Sequence, residues 1–334
     1  MIDNFLEALW AGLSPVLQVI GSTNFLYSVF RLSTPIVFAT MAVLVSDRAG
    51  VTNISIEGSM LFAALMGVIG SAYTQSAWLG LLTAIASGMV FALLLSFFHL
   101  KLRTNLILTC IALNSLASGL TVFLLFMFTG DRGVSTALAS VDLPKLSIPL
   151  LRDIPFVGEV LSGQNVLTYL AFLTVILIWI LLYKTKLGIY LRAVGENPQA
   201  VETAGYPASR IRFYALLISG AIAGMGGAFM SMAYVSGFTK DMVSGRGFIA
   251  LAAEAMGKGS PLLSMLAAML FGFADSLANN LQVLGLPSDI TRMIPYILTI
   301  VALSIYAWRA NARHHGTTND MPRKRPVPAS IKRR

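Results

Sequence analysis

The sequence predicts an all-α bundle of membrane-spanning helices. Of its 334 residues, 56% are hydrophobic and only 12% are charged, whereas about a quarter of the residues of a soluble domain are charged. The apolar residues fall in long blocks, and several blocks reach the roughly 20 residues that a helix needs to cross a membrane. A soluble core could not bury so many of them. The predicted spans are residues 23–46, 54–74, 77–100, 105–128, 164–183, 212–236, 260–282 and 292–308.

Residues 1–22 form an N-terminal segment whose position the sequence leaves open. Residues 5–20 are apolar, but they are short for a crossing and Pro15 interrupts them. The pattern predicts either an interfacial helix or a short extra crossing. We expect no cleaved export signal, because Met1–Asn4 carries no basic cluster and no clear cleavage site follows.

The basic residues predict the orientation of the membrane domain, residues 23–308. Of the 24 lysines and arginines, eight lie in the tail 309–334 and five in the loop 184–212. Such an excess beside spans is typical of the cytoplasmic side, so we expect this loop and the basic tail to be cytoplasmic. Loop 129–163, one span away, is then external. The net charge of +9 therefore indicates topology, with the basic tail retained in the cytoplasm, in preference to a lipid- or nucleic-acid-binding role of the tail. Membrane lipid is an expected partner because the chain spans the bilayer.

The loop 184–212 and the tail can both be cytoplasmic only if the chain crosses the membrane an even number of times between them. Three spans are predicted there, so one further inward crossing is needed, and it must lie within residues 237–259. The apolar helix predicted there, Gly247–Met256, would be only about 15 Å long at a rise of about 1.5 Å per residue, which is half of a membrane. Gly245, Gly257 and Pro261 interrupt the chain around it. In transporters, discontinuous helices of this kind mark substrate or gating regions.

An internal repeat accompanies the half-membrane helix. Two stretches each place an arginine and a glycine before a short apolar helix that carries a glutamate about two turns on. The stretches are Arg48…Gly50…Glu57 and Arg246-Gly247…Glu254. Because they occupy corresponding places, they predict pseudo-symmetric halves with broken helices.

The cytoplasmic loop contains a short capped helix. Asn197 is a favourable N-cap and Pro198 suits the first helical position, while Gly205 and Pro207 end the helix. The product is about two turns, roughly 10 Å long, which we predict to be tied at both ends to membrane helices. By itself this pattern is equally typical of an ordinary loop helix and of one that a soluble partner grips to transmit force.

Three segments carry a resemblance to a known family. They are LGIYLRAVGENPQAVETAGYPASRIR in the cytoplasmic loop, SDRAGVTNISIEGSMLFAALMG at the second span, and GRGFIALAAEAMGKGSP around the half-membrane helix. They resemble signatures of permeases from ATP-binding-cassette (ABC) importers for branched-chain amino acids, ribose and nucleosides, the first being the coupling-loop signature. The likeness runs from about Ser33 to Trp308. The second segment is most similar to the nucleoside branch, which works with lipoproteins of the basic-membrane-protein type.

The resemblance implies the permease of a type II ABC importer, multi-pass in the plasma (inner) membrane. Its partners would be ABC ATPase subunits, a second, non-identical permease subunit and an extracytoplasmic substrate-binding lipoprotein. It would import a nucleoside by alternating access, with a simple sugar or riboflavin as the alternative solute. A secondary transporter driven by an ion gradient is the alternative from another class. The residues expected to couple to the ATPase are Arg192, Glu196, Asn197, Pro198, Ala200, Ala204 and Gly205.

The sequence predicts no enzyme activity for this chain. The segment from Gly257 to Ser260 is similar to the end of a phosphate-binding loop, but the earlier glycine is absent and Lys258 is not followed by Ser or Thr. We therefore expect no cofactor bound by this chain, with ATP and Mg²⁺ used by the partner. We also expect no catalytic or metal-binding residues, because Cys110 and His99 lack partners at suitable spacing.

Polar residues within the spans suit a solute path. Ionisable groups there are costly and usually face the bundle interior or a wet cavity. Each candidate has a local alternative, since Asn53 could cap its helix and the glutamates could pair with Arg48 and Arg246. Asp275 is a further candidate. The residues favoured for the substrate path are Asn53, Glu57, Asn114, Arg246, Phe248 and Glu254.

Overall fold

Helices account for the regular structure of the described residues. The computed structural model describes residues 22–146 and 157–283, with five further positions between 293 and 304. Within these residues there is no strand, only two isolated β-bridges, so the predicted all-α bundle is confirmed. The helices are α1 (Thr23–Asp47), α2 (Ile56–Thr74), α3 (Ala77–Ser96), α4 (Leu106–Thr129), α5 (Val157–Leu161), α6 (Val166–Lys184), α7 (Lys186–Glu196), α8 (Pro198–Thr203), α9 (Ala208–Phe229), α10 (Arg246–Gly257) and α11 (Pro261–Val283).

Seven of the described helices are long and apolar enough to cross a membrane. They correspond to the first seven predicted spans. The largest shift is in α9, which begins at Ala208 instead of residue 212. Two of these helices continue in a π turn, α3 through Phe97–Lys101 and α9 through Met230–Tyr234. The predicted eighth span, the N-terminal segment and the basic tail lie outside the fully described residues and stay predictions.

Helix α9 lies at the centre of the bundle, packed on α1, α2 and α3. Its approach to α3 is a backbone contact, because a Cβ on Gly88 would collide with the carbonyl oxygen of Gly220. A Cβ on Gly224 would likewise lie 2.6 Å from the carbonyl oxygen of Ala84. Small residues at such a crossing bring two helices into van der Waals contact along their backbones. Helices α9 and α3 are therefore closely packed.

The predicted chain breaks are present in both halves. After α1 ends, residues 51–55 run without helix until α2 begins at Ile56. Ser46 holds this break, because its carbonyl oxygen accepts from the backbone N–H of Val51 and its hydroxyl accepts from that of Asn53, at 3.1 Å each. In the second half, α10 has 12 residues and is about 18 Å long. The half-membrane helix is therefore confirmed.

Helices α7 and α8 lie together at one end of the bundle, which we call the coupling-loop end. The predicted short helix is present as α8, but the expectation that it joins membrane helices on both sides is wrong. On its N-terminal side it follows α7, a helix of 11 residues that the sequence pattern did not predict. Thr185 turns the chain between α6 and α7, and its hydroxyl accepts from the backbone N–H of Gly188 at 3.2 Å. A side chain at Gly188 would collide with backbone carbonyls of α6, so α7 folds back closely on that helix.

Candidate transport and coupling site

The first residue of the site is Glu57, which caps the N-terminus of α10 from a different helix. Its Oε1 accepts from the backbone N–H of Gly245 and its Oε2 from that of Gly247, both at 2.7 Å. Gly245 is the N-cap residue and has no side chain to satisfy these donors, and its φ of 82° lies in the left-handed region. A carboxylate at this position also interacts favourably with the helix dipole. Glu57 therefore fixes where the half-membrane helix begins.

The cap requires glycine at position 247. A Cβ there would lie 2.7 Å from the backbone nitrogen of Glu57 and 2.8 Å from its Cα, closer than real Cβ contacts allow. The starts of α2 and α10 are consequently in direct contact. This contact explains the glycine at position 247, which the sequence showed only as part of the repeat.

Arg246 lies beside this cap and faces α11. Its Nη2 is 3.7 Å from Oδ2 of Asp275, in the one ion pair found among the described residues. Its Nη1 donates to the carbonyl oxygen of Val243 at 3.2 Å, while its buried Nε has no hydrogen-bond partner among the described residues. The alternative pairings of Glu57 with Arg48 and of Glu254 with Arg246 are therefore wrong. Arg246 keeps a donor available at the buried start of the half-membrane helix.

Two asparagines hold the start of α2. The amide of Asn114 donates from Nδ2 to the carbonyl oxygen of Ile54 at 3.2 Å and accepts at Oδ1 from the N–H of Gly58 at 2.9 Å. Asn53 is fully buried and donates to the hydroxyl of Ser219 on α9 at 3.1 Å. Four of the predicted path residues, the asparagines with Glu57 and Arg246, are thus brought together around the starts of α2 and α10.

The other two predicted path residues lie further along α10. Phe248 is in its first turn and is 49% exposed, so its ring lines the open face of the half-membrane helix. Glu254 lies two turns on and is buried at 8% exposure, near Asp47 and Arg48. The structure therefore groups Phe248 with the cap and places Glu254 apart from it, toward the coupling-loop end.

Arg48 caps the C-terminus of the same helix. Its Nη2 donates to the carbonyl oxygen of Lys258 at 2.9 Å and its Nε to that of Gly259 at 3.0 Å. Lys258 is the C-cap residue of α10 and Gly259 is the next residue, so the guanidinium lies at the helix end, where a cation complements the dipole. Arg48, just after α1, and Glu57, in the first turn of α2, thus hold the two ends of α10.

The turn that carries Arg48 also contacts the coupling loop. A Cβ on Gly195, near the end of α7, would collide with the carbonyl oxygen of Arg48. Arg212, near the start of α9, donates from Nε to the carbonyl oxygen of Ala49 at 3.2 Å. Beside these contacts is a cavity of about 420 Å³, lined by Asp47, Arg48, Arg192, Ala193, Gly195 and Glu196. Gly195 and Arg212 were missed in the sequence, although both lie inside the coupling-loop signature.

Helix α8 is a capped, exposed projection. Asn197 accepts from the N–H of Ala200 at 3.1 Å, Gly205 has the left-handed φ of 88° expected of a helix stop, and Val201 is its buried anchor. The Tyr190 and Tyr206 rings, 4.7 Å apart, hold the end of the loop against α7. The predicted coupling residues are mostly solvent-exposed, with Arg192 and Pro198 half-buried.

Seven long apolar helices, a capped half-membrane helix packed against α1, α2 and α11, and an exposed capped helix at one end are typical of a multi-pass membrane permease. The matching family profile is described as "Branched-chain amino acid transport system / permease component" and covers residues 25–303. The chain belongs to this family, which confirms the resemblance found in the three signature segments.

Curated relatives of the chain are permeases of ABC transporters. The nucleoside ABC transporter permease protein NupC of Lactococcus lactis is 34% identical over 89% of this chain and 94% of its own length. The guanosine ABC transporter permease protein NupQ of Bacillus subtilis is 33% identical over the same two shares. The glucose ABC transporter permease protein TsgB13 of Haloferax volcanii is 26% identical over 81% of this chain and 74% of its own length.

Proposed function

We propose that the chain forms the translocation path of an ATP-driven nucleoside importer. The observation that carries this proposal is its identity of 33% and 34%, over nine-tenths of its length, with permeases named for guanosine and nucleosides. The glucose permease among the relatives makes a simple sugar the second candidate solute. The membership in a family of transport-system permeases favours both over an ion-driven secondary transporter.

The proposed assembly places the coupling-loop end in the cytoplasm, together with the basic C-terminal tail. An ABC ATPase subunit binds α8 and hydrolyses ATP with Mg²⁺, so this chain needs no cofactor of its own. A second, non-identical permease completes the path, and an extracytoplasmic lipoprotein delivers the solute. The exposed surface of α8 and of its C-terminal cap consists of small residues at Ala200, Ala204 and Gly205, which supports docking into a cleft of the ATPase.

The contacts on either side of the Asp47–Gly50 turn supply a route for the coupling. A displacement of α8 moves α7 and the start of α9, because these elements flank it in the chain. Gly195 of α7 and Arg212 of α9 contact the turn at Arg48 and Ala49. Arg48 in turn donates hydrogen bonds at the C-terminal end of α10. The ATPase then selects between two permease states by contacting them differently, as any coupling partner must.

The N-terminal end of α10 supplies the chemistry that a nucleoside requires. A nucleoside presents an aromatic ring and several hydrogen-bonding groups. The exposed Phe248 ring offers a stacking surface, and the Nε of Arg246, which is buried in this structure without a partner among the described residues, would become a donor to the solute once the path opens. In this proposal Glu57, Asn114 and Asn53 position that surface, because their polar groups already bind protein partners.

The experiment that tests the function is transport by the reconstituted complex. The chain is co-purified with its ATPase and second permease, placed in liposomes and supplied with the binding lipoprotein. Guanosine should stimulate ATP hydrolysis and accumulate only with ATP, whereas glucose should do neither. Accumulation of glucose but not of guanosine would show that the solute is a sugar and not a nucleoside. Uptake driven by an ion gradient alone would refute the ATP-driven mechanism.

A charge reversal at the exposed end of α7 tests the coupling contact. We expect Glu196→Arg to leave the chain inserted and to reduce guanosine transport per ATP by about tenfold or more, because about 1.4 kcal/mol of lost contact is a tenfold effect. The matched control is Glu159→Arg, the same change at another exposed glutamate, on α5. Normal transport by Glu196→Arg, with the ATPase still bound, would contradict the assignment of the coupling residues.

A further inference from the structure

A groove opens between α3 and α9 at the coupling-loop end of the bundle. Its volume is about 660 Å³, which lies within the roughly 300–1,000 Å³ typical of ligand pockets. Its floor and walls are aliphatic and aromatic, and its rim carries the two basic residues Lys101 and Arg210. The apolar lining residues are Val90, Leu93, Leu94, Phe97, Leu100 and Phe213.

The two basic side chains give this groove its charge. Lys101 lies with its Nζ 5.5 Å above the ring of Phe97, so its ammonium group is held against the groove wall. Neither Lys101 nor Arg210 forms an ion pair with a carboxylate of the described residues, and no acidic residue lines the groove. The rim therefore presents two uncompensated positive charges above an apolar wall.

The depth of the groove matches one leaflet of a bilayer. Lys101 ends one candidate membrane span and Arg210 lies close to the start of another, so both are at the boundary where phosphates lie. Val90 is 11 residues before Lys101 in the sequence, which corresponds to about 16 Å along a helix. This distance is about half of the roughly 30 Å hydrocarbon thickness.

We propose that this groove is a binding site for an anionic phospholipid. Its phosphate lies between Lys101 and Arg210, and one acyl chain follows α3 as far as Val90. Basic pockets between membrane helices commonly hold such head groups. The site is separate from the half-membrane helix and does not depend on which solute the permease carries.

A second groove provides an internal comparison. It lies along α4, with a volume of about 550 Å³, and its lining includes Phe98, Asn105 and Leu108 but no basic residue. It is therefore equally able to accept an acyl chain but has no charge that prefers an anionic head group. Selectivity for anionic lipid should belong to the α3–α9 groove alone.

The test is native mass spectrometry of the purified full chain with phosphatidylglycerol and phosphatidylcholine of identical acyl chains. We expect the unmodified chain to prefer phosphatidylglycerol. The double variant Lys101→Gln/Arg210→Gln should bind this lipid about 25-fold more weakly, since each basic residue near an anionic surface contributes about fivefold. The control Lys184→Gln/Lys186→Gln removes the same charge outside the groove lining and should stay within about twofold.

A filling variant separates the groove from surface charge. Leu93→Trp keeps both basic residues and should lower the binding of both lipids, because it occupies the acyl-chain wall. The proposal would be overturned if Lys184→Gln/Lys186→Gln weakened phosphatidylglycerol binding as much as Lys101→Gln/Arg210→Gln does. It would also be overturned if the unmodified chain bound phosphatidylglycerol no better than phosphatidylcholine. A double variant that keeps the lipid but loses the ATPase would likewise overturn it, because the rim would then be a protein contact.

Discussion

Removing the charge of Glu57 should free the N-terminus of the half-membrane helix. In Glu57→Gln the side chain keeps its size, but only one of its two terminal atoms can still accept a hydrogen bond. The other becomes an NH₂ group facing a backbone N–H, either that of Gly245 or that of Gly247. One of the two hydrogen bonds to residue 57 is lost, and the other no longer involves a charged acceptor. The new side-chain NH₂ group also faces a backbone N–H, so two donors are in contact.

The size of this effect follows from the two 2.7 Å bonds. A hydrogen bond to a charged group contributes about 1.5–3 kcal/mol, and a carboxylate at a partly buried helix N-terminus contributes up to about 2 kcal/mol more. Because glutamine retains one bond, we expect a net loss of about 3 kcal/mol. If this loss acts on the local opening of α10, exchange of its first-turn amides becomes about 150-fold faster.

Hydrogen–deuterium exchange of the purified chain measures this opening directly. The amides of Gly245 and Gly247 should exchange faster in Glu57→Gln, while those of α9 should not change. The matched control, Glu159→Gln, alters an exposed glutamate on α5 and should have no effect on α10. An increase of less than about threefold at the capped amides would refute the assigned role of Glu57. Guanosine transport by the variant complex should fall in parallel.

Three further substitutions test the other contacts. Arg48→Gln removes the hydrogen bonds at the C-terminus of α10 and should lower transport per ATP about tenfold while ATP hydrolysis continues; an unchanged ratio would exclude this route. Asn197→Ala removes a cap worth about 1 kcal/mol and should weaken ATPase binding about fivefold, whereas Asn105→Ala, which removes the equivalent cap of α4, should not affect it. Gly220→Ala should destabilise the purified chain by about 1–3 kcal/mol through overpacking against α3, which is measured as a lower melting temperature. At Gly119 a Cβ meets nothing within 4 Å, so a similar loss of stability in Gly119→Ala would contradict this explanation.

Local signals in the sequence were sufficient to predict α8 and α10. The Asn-Pro start and Gly stop of α8 are capping chemistry that acts within a few residues, and the structure realises each of them. The half-membrane helix was predictable because glycines border an apolar run too short to cross. Helix α7 was missed, although Leu187, Leu191 and Val194 recur at helical spacing and are at least partly buried. That signal was available within the cytoplasmic loop.

The contacts between distant parts of the chain were not predictable from local patterns. Glu57 lies 188 residues before Gly245, and Arg48 lies 211 residues before Gly259. The pattern suggested instead that each arginine pairs with the glutamate of its own stretch, because that pairing is the nearest in sequence. Backbone donors and acceptors at a helix end carry no sequence signature of their own, so their side-chain partners become evident only in the folded chain.

The repeat in the sequence therefore has unequal roles in its two copies. In the first copy, Glu57 and Arg48 reach across to the two ends of α10, whereas Arg246 of the second copy turns away to Asp275 on α11. Because Arg48 holds one end of α10 and Glu57, at the start of α2, holds the other, we expect a movement of the connection between α1 and α2 to displace the half-membrane helix. The coupling loop contacts this connection at Ala49, through Arg212. We expect a movement of α8 that reaches this turn to displace the C-terminal end of α10 through Arg48, and with it Phe248, which faces the open side at the other end of that helix.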